Sequence, residues 1–236
     1  MSAVMPPVLA LDSATEACSV AVVRGAEVLA SRHEMIGRGH ANRLLPMVGE
    51  VLAQAGLSLA ELGGIAFGKG PGSFTGVRVA LSVAQGLAYG AGVQLLPVSG
   101  LQALALRAHA QHGATAVLAC LDARMGEVYV AGYECSGETE ATLVGLEAVM
   151  APEGVVERLS ADPGRWYLAG PGAGAYPALR EARHLAVGVE PGLWPDARDI
   201  ARLGGLLLQR GAGVEPGAAQ PAYLRNEVAH RSSGSA

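Results

Sequence analysis

The residues best suited to chemistry lie in one loop, Gly68-Lys69-Gly70-Pro71-Gly72-Ser73-Phe74-Thr75-Gly76-Val77-Arg78. An apolar run, 64–67, enters it, and a helical pattern over 77–91 leaves it. Glycines supply positive φ and close backbone approach, Pro71 fixes one φ, and Ser73 or Thr75 is placed to cap the helix. The first helical amides are then free to face an anion or a partner. Gly63, Gly68 and Lys69 match part of a phosphate-gripping P-loop, but Gly70 stands where a metal-binding Ser or Thr is required. Residues 64–67 also read as buried strand, so their amides cannot cradle a phosphate, and the P-loop is excluded. The plainer alternative is a structural strand-to-helix turn built on Gly70, Pro71, Gly72, Ser73, Gly76 and Arg78. Ser73 invites comparison with a nucleophile elbow, yet Pro71 holds the place of the first glycine in G-x-S-x-G and no His/Asp pair is indicated.

Two carboxylates come next. Residues 8–12 are an apolar run ending in Asp12, with a polar turn through Ser13 and Thr15. Residues 116–122 repeat the outline, ending in Asp122 before the turn 123–126. In folds of the actin, Hsp70 and sugar-kinase type, such paired hairpins face a nucleotide cleft, their aspartates holding Mg²⁺ or water. That makes Asp12 and Asp122 the metal-side candidates of an ATP-dependent phosphotransferase. Equally, an Asp at a strand end simply hydrogen-bonds its own turn. The six histidines offer an H-x-x-H pair, His109 and His112, without a third ligand nearby, so solvent-facing or packing roles are expected and no metal site.

The elements that position these groups follow from periodicity. Strands are expected over 8–12, 18–23, 27–32, 65–67, 94–98, 116–122, 127–133 and 166–170, the first three antiparallel. Helices are expected over 41–55, 77–91, 100–111 and 196–210, with Gly56 a natural stop. Residues 134–151 are acidic and poorly periodic, and the tail 231–236 reads as polar and mobile. A break near Gly113 divides the chain into lobes 1–112 and 113–236. The fold class is α/β, with two duplicated lobes.

Several of these blocks resemble the TsaB (YeaZ) family. They are Asp12-Ser13-Ala14-Thr15; Gly37-Arg38-Gly39-His40 with Leu44-Leu45-Pro46; and Gly70 through Arg78. Pro97-Val98-Ser99-Gly100-Leu101, Asp122-Ala123-Arg124 with Gly126-Glu127-Val128-Tyr129, and Pro221-Ala222-Tyr223-Leu224-Arg225 complete the set. They span nearly the whole chain; the Gly-Pro-Gly-Ser-Phe-Thr-Gly block is specific, and the others persuade by their order. The resemblance implies an actin-like fold and a non-catalytic bacterial subunit of tRNA modification. Its partners would be a TsaD-type catalytic paralogue and a TsaE-type ATPase, the complex transferring threonylcarbamoyl from its adenylate to the adenosine 3′ of the anticodon. tRNA would be met only through the complex, and the chain alone would pair with itself.

Departures from an enzyme's pattern fit that reading. The catalytic paralogue carries two histidines spaced i, i+4; here Gly100 and Leu104 stand in those places. Pro171 interrupts the pair Gly170 and Gly172 at what would be an adenosine contact, removing an amide. No tightly held cofactor is expected, with weak or shared ATP or ADP binding left open. The expected function is an interface. Val77, Ala80, Leu81, Ala84, Leu87 and Ala88 form one stripe that Val79 and Val83 widen to about 200°, against the ~100° one sheet requires. With Leu44, Leu45, Val48, Val51 and Leu52 on the preceding helix, this stripe is the expected docking surface, unless both helices are sandwiched within one subunit.

Bulk properties bound the rest. The chain has 236 residues, half of them hydrophobic and 16% charged, which excludes disorder. Net charge is −4 and only Lys69 is a lysine, so no basic face for gripping RNA unaided is indicated. Cys18, Cys120 and Cys135 lack C-x-x-C spacing and read as buried thiols of a reducing compartment. Residues 1–7 lack the basic start and apolar core of a signal peptide. The uncharged stretch 79–106 is broken by glutamines, glycines and Pro97, so it reads as interior rather than membrane span, and the location as cytoplasmic.

Overall fold

The computed structural model describes residues 5–225; residues 1–4 and the tail from 226, including 231–236 and most of the reading made of residues 1–7, lie outside the described residues. β1 (Val8–Asp12), β2 (Ala17–Arg24) and β3 (Glu27–Met35) are antiparallel. α1 (His40–Ala55) leads to β4 (Gly64–Gly68), and α2 (Phe74–Ala91) leads to β5 (Leu95–Val98). Both new strands add in parallel, giving the order β3-β2-β1-β4-β5. After α3 (Gly100–His112) the pattern is rebuilt. β6 (Ala116–Arg124), β7 (Glu127–Ser136) and β8 (Glu140–Met150) are antiparallel. β9 (Tyr167–Ala169) and β10 (Gly188–Glu190) then add in parallel beside β6. Two five-stranded sheets of one topology make the duplicated, actin-like α/β architecture.

Side chains alternate across each sheet, so each serves two cores. Leu9 and Leu11 of β1 face α1 and α2, with Phe67 and Val20 beside them. Val8 and Ala10 face the opposite way, into a central layer containing α3 and α7 (Ala197–Gln209) that also takes Val117, Ala119 and Leu121 from the second sheet. α4 (Pro152–Ala161), α5 (Gly172–Ala175) and α6 (Pro177–Glu181) cover the outer face of the second sheet, over Leu118, Cys120 and Val130. The three thiols are free and buried. α7 lies late in the chain, yet it packs on β1, β2 and β4 of the first sheet.

Residues 134–151, expected to be irregular, contain β8, an edge strand with half its side chains in solvent and Gly145 at φ 81°. Those features blur the period of two. Most of the apolar stripe expected to meet a partner faces this chain's own interior instead. Leu44, Val48, Val51, Leu52, Ala80, Leu81, Ala84 and Ala88 are buried in this chain's own first core, Val77 is buried beside Gly70, and Leu87 is partly buried. Both helices lie on one face of the first sheet and also touch each other, which accounts for a stripe wider than a sheet alone needs. Of that set only Leu45 is exposed, at 53%.

The central layer carries a charge. Asp196 caps α7 by accepting from the Arg198 amide at 2.8 Å, and its carboxylate also meets His33 Nδ1 at 2.9 Å and the Arg107 guanidinium. Burial opposes its ionisation, but the His33 and Arg198 hydrogen bonds and the Arg107 charge outweigh this and hold it below the usual carboxylate range. Ser19 of β2 accepts from the Ala197 amide at 3.0 Å. Asp196→Ala leaves the half-buried Arg107 charge uncompensated, and we expect urea unfolding at pH 7 to show a loss of about 3–5 kcal/mol. Asp196→Asn, which keeps the cap, loses less.

Candidate functional site

The loop 68–76 works as a clamp on the β1–β2 turn. Ser73 donates its amide to the Ala14 carbonyl at 2.7 Å and accepts from the Gly76 amide at 3.4 Å as the cap of α2. Ser13 Oγ donates to the Gly76 carbonyl at 2.8 Å. Gly72 and Gly76 lie so close to the Ser13–Ala14 backbone that a Cβ on either would clash with it. The Gly70 carbonyl accepts from Gly100 at 2.8 Å, and Arg78 turns back to the Phe74 carbonyl at 3.1 Å. Ser73 and the loop backbone, which invited a nucleophile or phosphate reading, are thus used to hold one lobe together.

Between the lobes lies a cavity of about 610 Å³. The β1–β2 turn lines one wall with Ser13, Thr15 and Glu16; the β6–β7 hairpin lines the other with Asp122 and Arg124, and Trp194, Tyr129 and Pro171 add apolar surface. The N-terminal ends of α1 and α2 also reach it, through His40, Ala41, Ser73 and Thr75.

Of the residues expected in a nucleotide cleft, Ser13, Thr15 and Asp122 line this cavity, whereas Asp12, Gly170 and Gly172 do not. Asp12 is 1% exposed and folds over Gly68, where it accepts from the Ala14 amide at 3.3 Å. Asp122 accepts from the Arg124 amide at 2.9 Å and from the Tyr176 hydroxyl at 2.8 Å, with the Arg124 guanidinium 3.0 Å away. Both aspartates therefore bond the turn that follows them, the simpler of the two sequence readings. A Cβ on Gly170 or Gly172 would strike Cys120 of β6, so those glycines answer to packing.

The pair His109 and His112 has plain uses as well. His109 Nδ1 lies 2.9 Å from the Ala114 carbonyl, and His112 stacks on Tyr167 with centroids 5.3 Å apart. Gly100 and Leu104 are buried. Among the described residues no three His, Cys, Asp or Glu side chains gather as metal ligands. No described helix is long and apolar enough to cross a membrane.

Two features escaped the sequence reading. Arg124 reaches Glu16 at 2.7 Å across the cleft mouth, a contact between residues 108 apart that no local pattern announces. The outward faces of α1 and α2 were legible but overlooked: Pro46, Gly49 and Gly86 lie there, exposed and inside their helices, with Gly90 exposed in the last turn of α2. A Cβ on any of the three glycines would meet nothing within 4 Å.

A family model described as "TsaD: tRNA N6-adenosine threonylcarbamoyltransferase" matches residues 26–164. The chain is 42% identical over 222 residues to the tRNA threonylcarbamoyladenosine biosynthesis protein TsaB of Escherichia coli K12, covering 94% of this chain and 96% of that one. Identity to the TsaB of Haemophilus influenzae is 38%, over 93% and 94%. The solved structure of YeaZ from Pseudomonas aeruginosa superposes with a TM-score of 0.84 at 44% identity, over 93% of this chain and all of the other.

Burial pushes the Asp12 carboxyl up to about 6, an effect that the backbone hydrogen bonds of Ala14 and Ser13 only partly offset. The unfolded chain ionises this group near 3.8, so the folded state is penalised as pH rises through that window, by on the order of 3 kcal/mol above about pH 6. The stability of Asp12→Asn relative to the parent should therefore climb between about pH 4 and pH 7 and then level off in pH-resolved denaturation. A difference independent of pH contradicts the buried, unpaired carboxyl.

Proposed function

The chain belongs to the TsaB (YeaZ) family of tRNA threonylcarbamoyladenosine biosynthesis proteins, and from that premise we propose that it is a non-catalytic subunit that docks a TsaD-type catalytic paralogue on the outward face of α1 and α2. The supporting observation is the composition of that face. α1 presents Leu45, Pro46, Gly49 and Ala53, and α2 presents Val83, Gly86, Leu87 and Gly90, none of them charged. Glycine inside a helix costs about 1 kcal/mol and proline about 3 kcal/mol. Nothing among the described residues requires small residues there, since each missing Cβ faces open space. Small residues let a second helix approach closely, and an uncharged face suits burial in an interface. The two helices are half of a four-helix contact, which the paralogue completes in the complex and a second copy completes when the chain is alone.

The cleft supports the same reading. Asp122 is engaged by Arg124 and Tyr176, and Asp12 lies behind the wall, so neither is poised for Mg²⁺. Nucleotide would bind weakly or be shared with a partner, a TsaE-type ATPase would join the same complex, and tRNA would be reached through the catalytic subunit. The place of action would be the cytoplasm.

Substitution separates docking from folding. Gly49→Ala and Gly86→Ala should each raise the isolated chain's stability by about 0.5–1 kcal/mol, because helix propensity improves at no steric cost. Gly86→Leu and Leu45→Arg should fold normally, yet weaken association with the TsaD-type paralogue roughly tenfold or more by size exclusion and calorimetry. Threonylcarbamoylation of tRNA by the reconstituted set should fall in step. Undiminished association in both variants would remove the docking surface from these helices, and modification of tRNA by the purified chain alone would end the non-catalytic reading.

A further inference from the structure

The segment that follows α7 is tied to both lobes. Val214 and Leu95 exchange backbone hydrogen bonds at 2.9 Å, which fastens the segment beside β5. Gln85 of α2 donates to the Pro216 carbonyl at 2.8 Å, and Ala219 is buried in the first core. The Ala222 amide donates to the Lys69 carbonyl at 2.7 Å, at the start of the glycine-rich loop. Tyr223 then stands beside Phe74, ring centroids 6.4 Å apart, with the Arg78 guanidinium 3.3 Å from the Phe74 centroid and 5.1 Å from that of Tyr223. Up to this point every contact is with the first lobe.

Arg225 then crosses to the second lobe. Its guanidinium pairs with the Glu127 carboxylate, donates to the Ala123 carbonyl at 3.3 Å and lies 3.3 Å from Met125 Sδ. These three groups surround the tip of the β6–β7 hairpin. That tip is conformationally costly: Arg124 and Met125, neither a glycine, hold φ of 61° and 56° before Gly126 at 80°. The same hairpin carries Asp122 and Arg124 on the cleft wall, and Arg124 is the side chain that reaches Glu16.

We propose that residues 219–225 form a latch that sets the width of the interlobe cleft, with Arg225 as its hook. The Arg225 side chain is 20% exposed and makes a charge-assisted bond together with a second bond to a backbone carbonyl, so it is worth more than an open surface pair. The Glu16–Arg124 tie, at 42% and 72% exposure, is too solvated to hold the lobes alone. Once the hook is released, the hairpin tip relaxes from its left-handed conformation, and the Arg124 contact across the mouth goes with it. The latch stands on contacts within one chain and does not depend on the docking reading.

The test uses the full chain with spin labels at Gln54→Cys on α1 and Ser160→Cys on α4, both exposed positions. The native cysteines are buried, so the label is directed to the two exposed introduced thiols. Distances come from pulsed electron resonance, and hydrogen exchange is followed at residues 125–127. Arg225→Ala should give a broader distribution with a longer component and speed exchange at the hairpin tip roughly tenfold or more, the loss expected for one half-buried charged hydrogen bond. Arg165→Ala, which removes two ion pairs lying wholly within the second lobe, should leave both readings at the parent values. If Arg225→Ala melts early, Arg225→Gln, which keeps a donor for the Ala123 carbonyl but drops the ion pair, is read in the same way. A folded Arg225 variant with unchanged distances and unchanged exchange overturns the latch.

Discussion

A single buried carboxylate, Asp196, holds the molecule's two halves in register. It lies in the central helical layer, where an isolated charge is penalised by several kcal/mol. Its ionisation is sustained because three elements bring donors to it at once: His33 from β3, Arg107 from α3, and Arg198 with the α7 backbone. α3 packs against the second sheet and α7 against the first, so satisfying one charge fixes how the sheets face each other. The cavity is lined from both of the halves so arranged.

What those walls can do is limited by the same economy of polar groups. Each sheet begins with an antiparallel hairpin whose first strand ends in or just beyond an aspartate, the geometry that elsewhere presents carboxylates to a metal. Here the turn after Asp12 is gripped by the loop 68–76, and the carboxyl is drawn inward over Gly68. At Asp122 the arginine two residues on and Tyr176 of the following segment occupy the oxygens. Outward-facing surface on α1 and α2 shows the opposite trend: residues that weaken helices lie where no described neighbour needs them.

Local pattern exposed most of this frame. The strands at 8–12 and 116–122, the helices ending at Gly56 and Gly92, and the amphipathic helix before residue 210 follow from periodicity and from αL glycines at the helix ends. β8 was obscured because an edge strand with solvent on one side and a left-handed Gly145 carries no clean alternation. α4 was legible in principle, with Pro152 at its first turn, Glu153 beside it and Arg158 near its end, but at 10 residues its apolar period is short. The stripe on α2 was legible as apolar, but that most of it faces this chain's own core was not, since a hydrophobic arc gives the width of a buried face but not which neighbour covers it.

The amino-acid order alone settled the α/β class, the duplicated strand-Asp-turn-strand outline, the buried thiols and the family blocks, because these depend on residues close together in the chain. Folding decided which face of each helix meets solvent, that a late helix joins the first sheet, and that Glu16 meets Arg124, His33 meets Asp196 and Arg225 meets Glu127. Such contacts bring together residues separated by some 100 to 160 positions, and they are set by how the packed layers close, a quantity no local window of sequence contains.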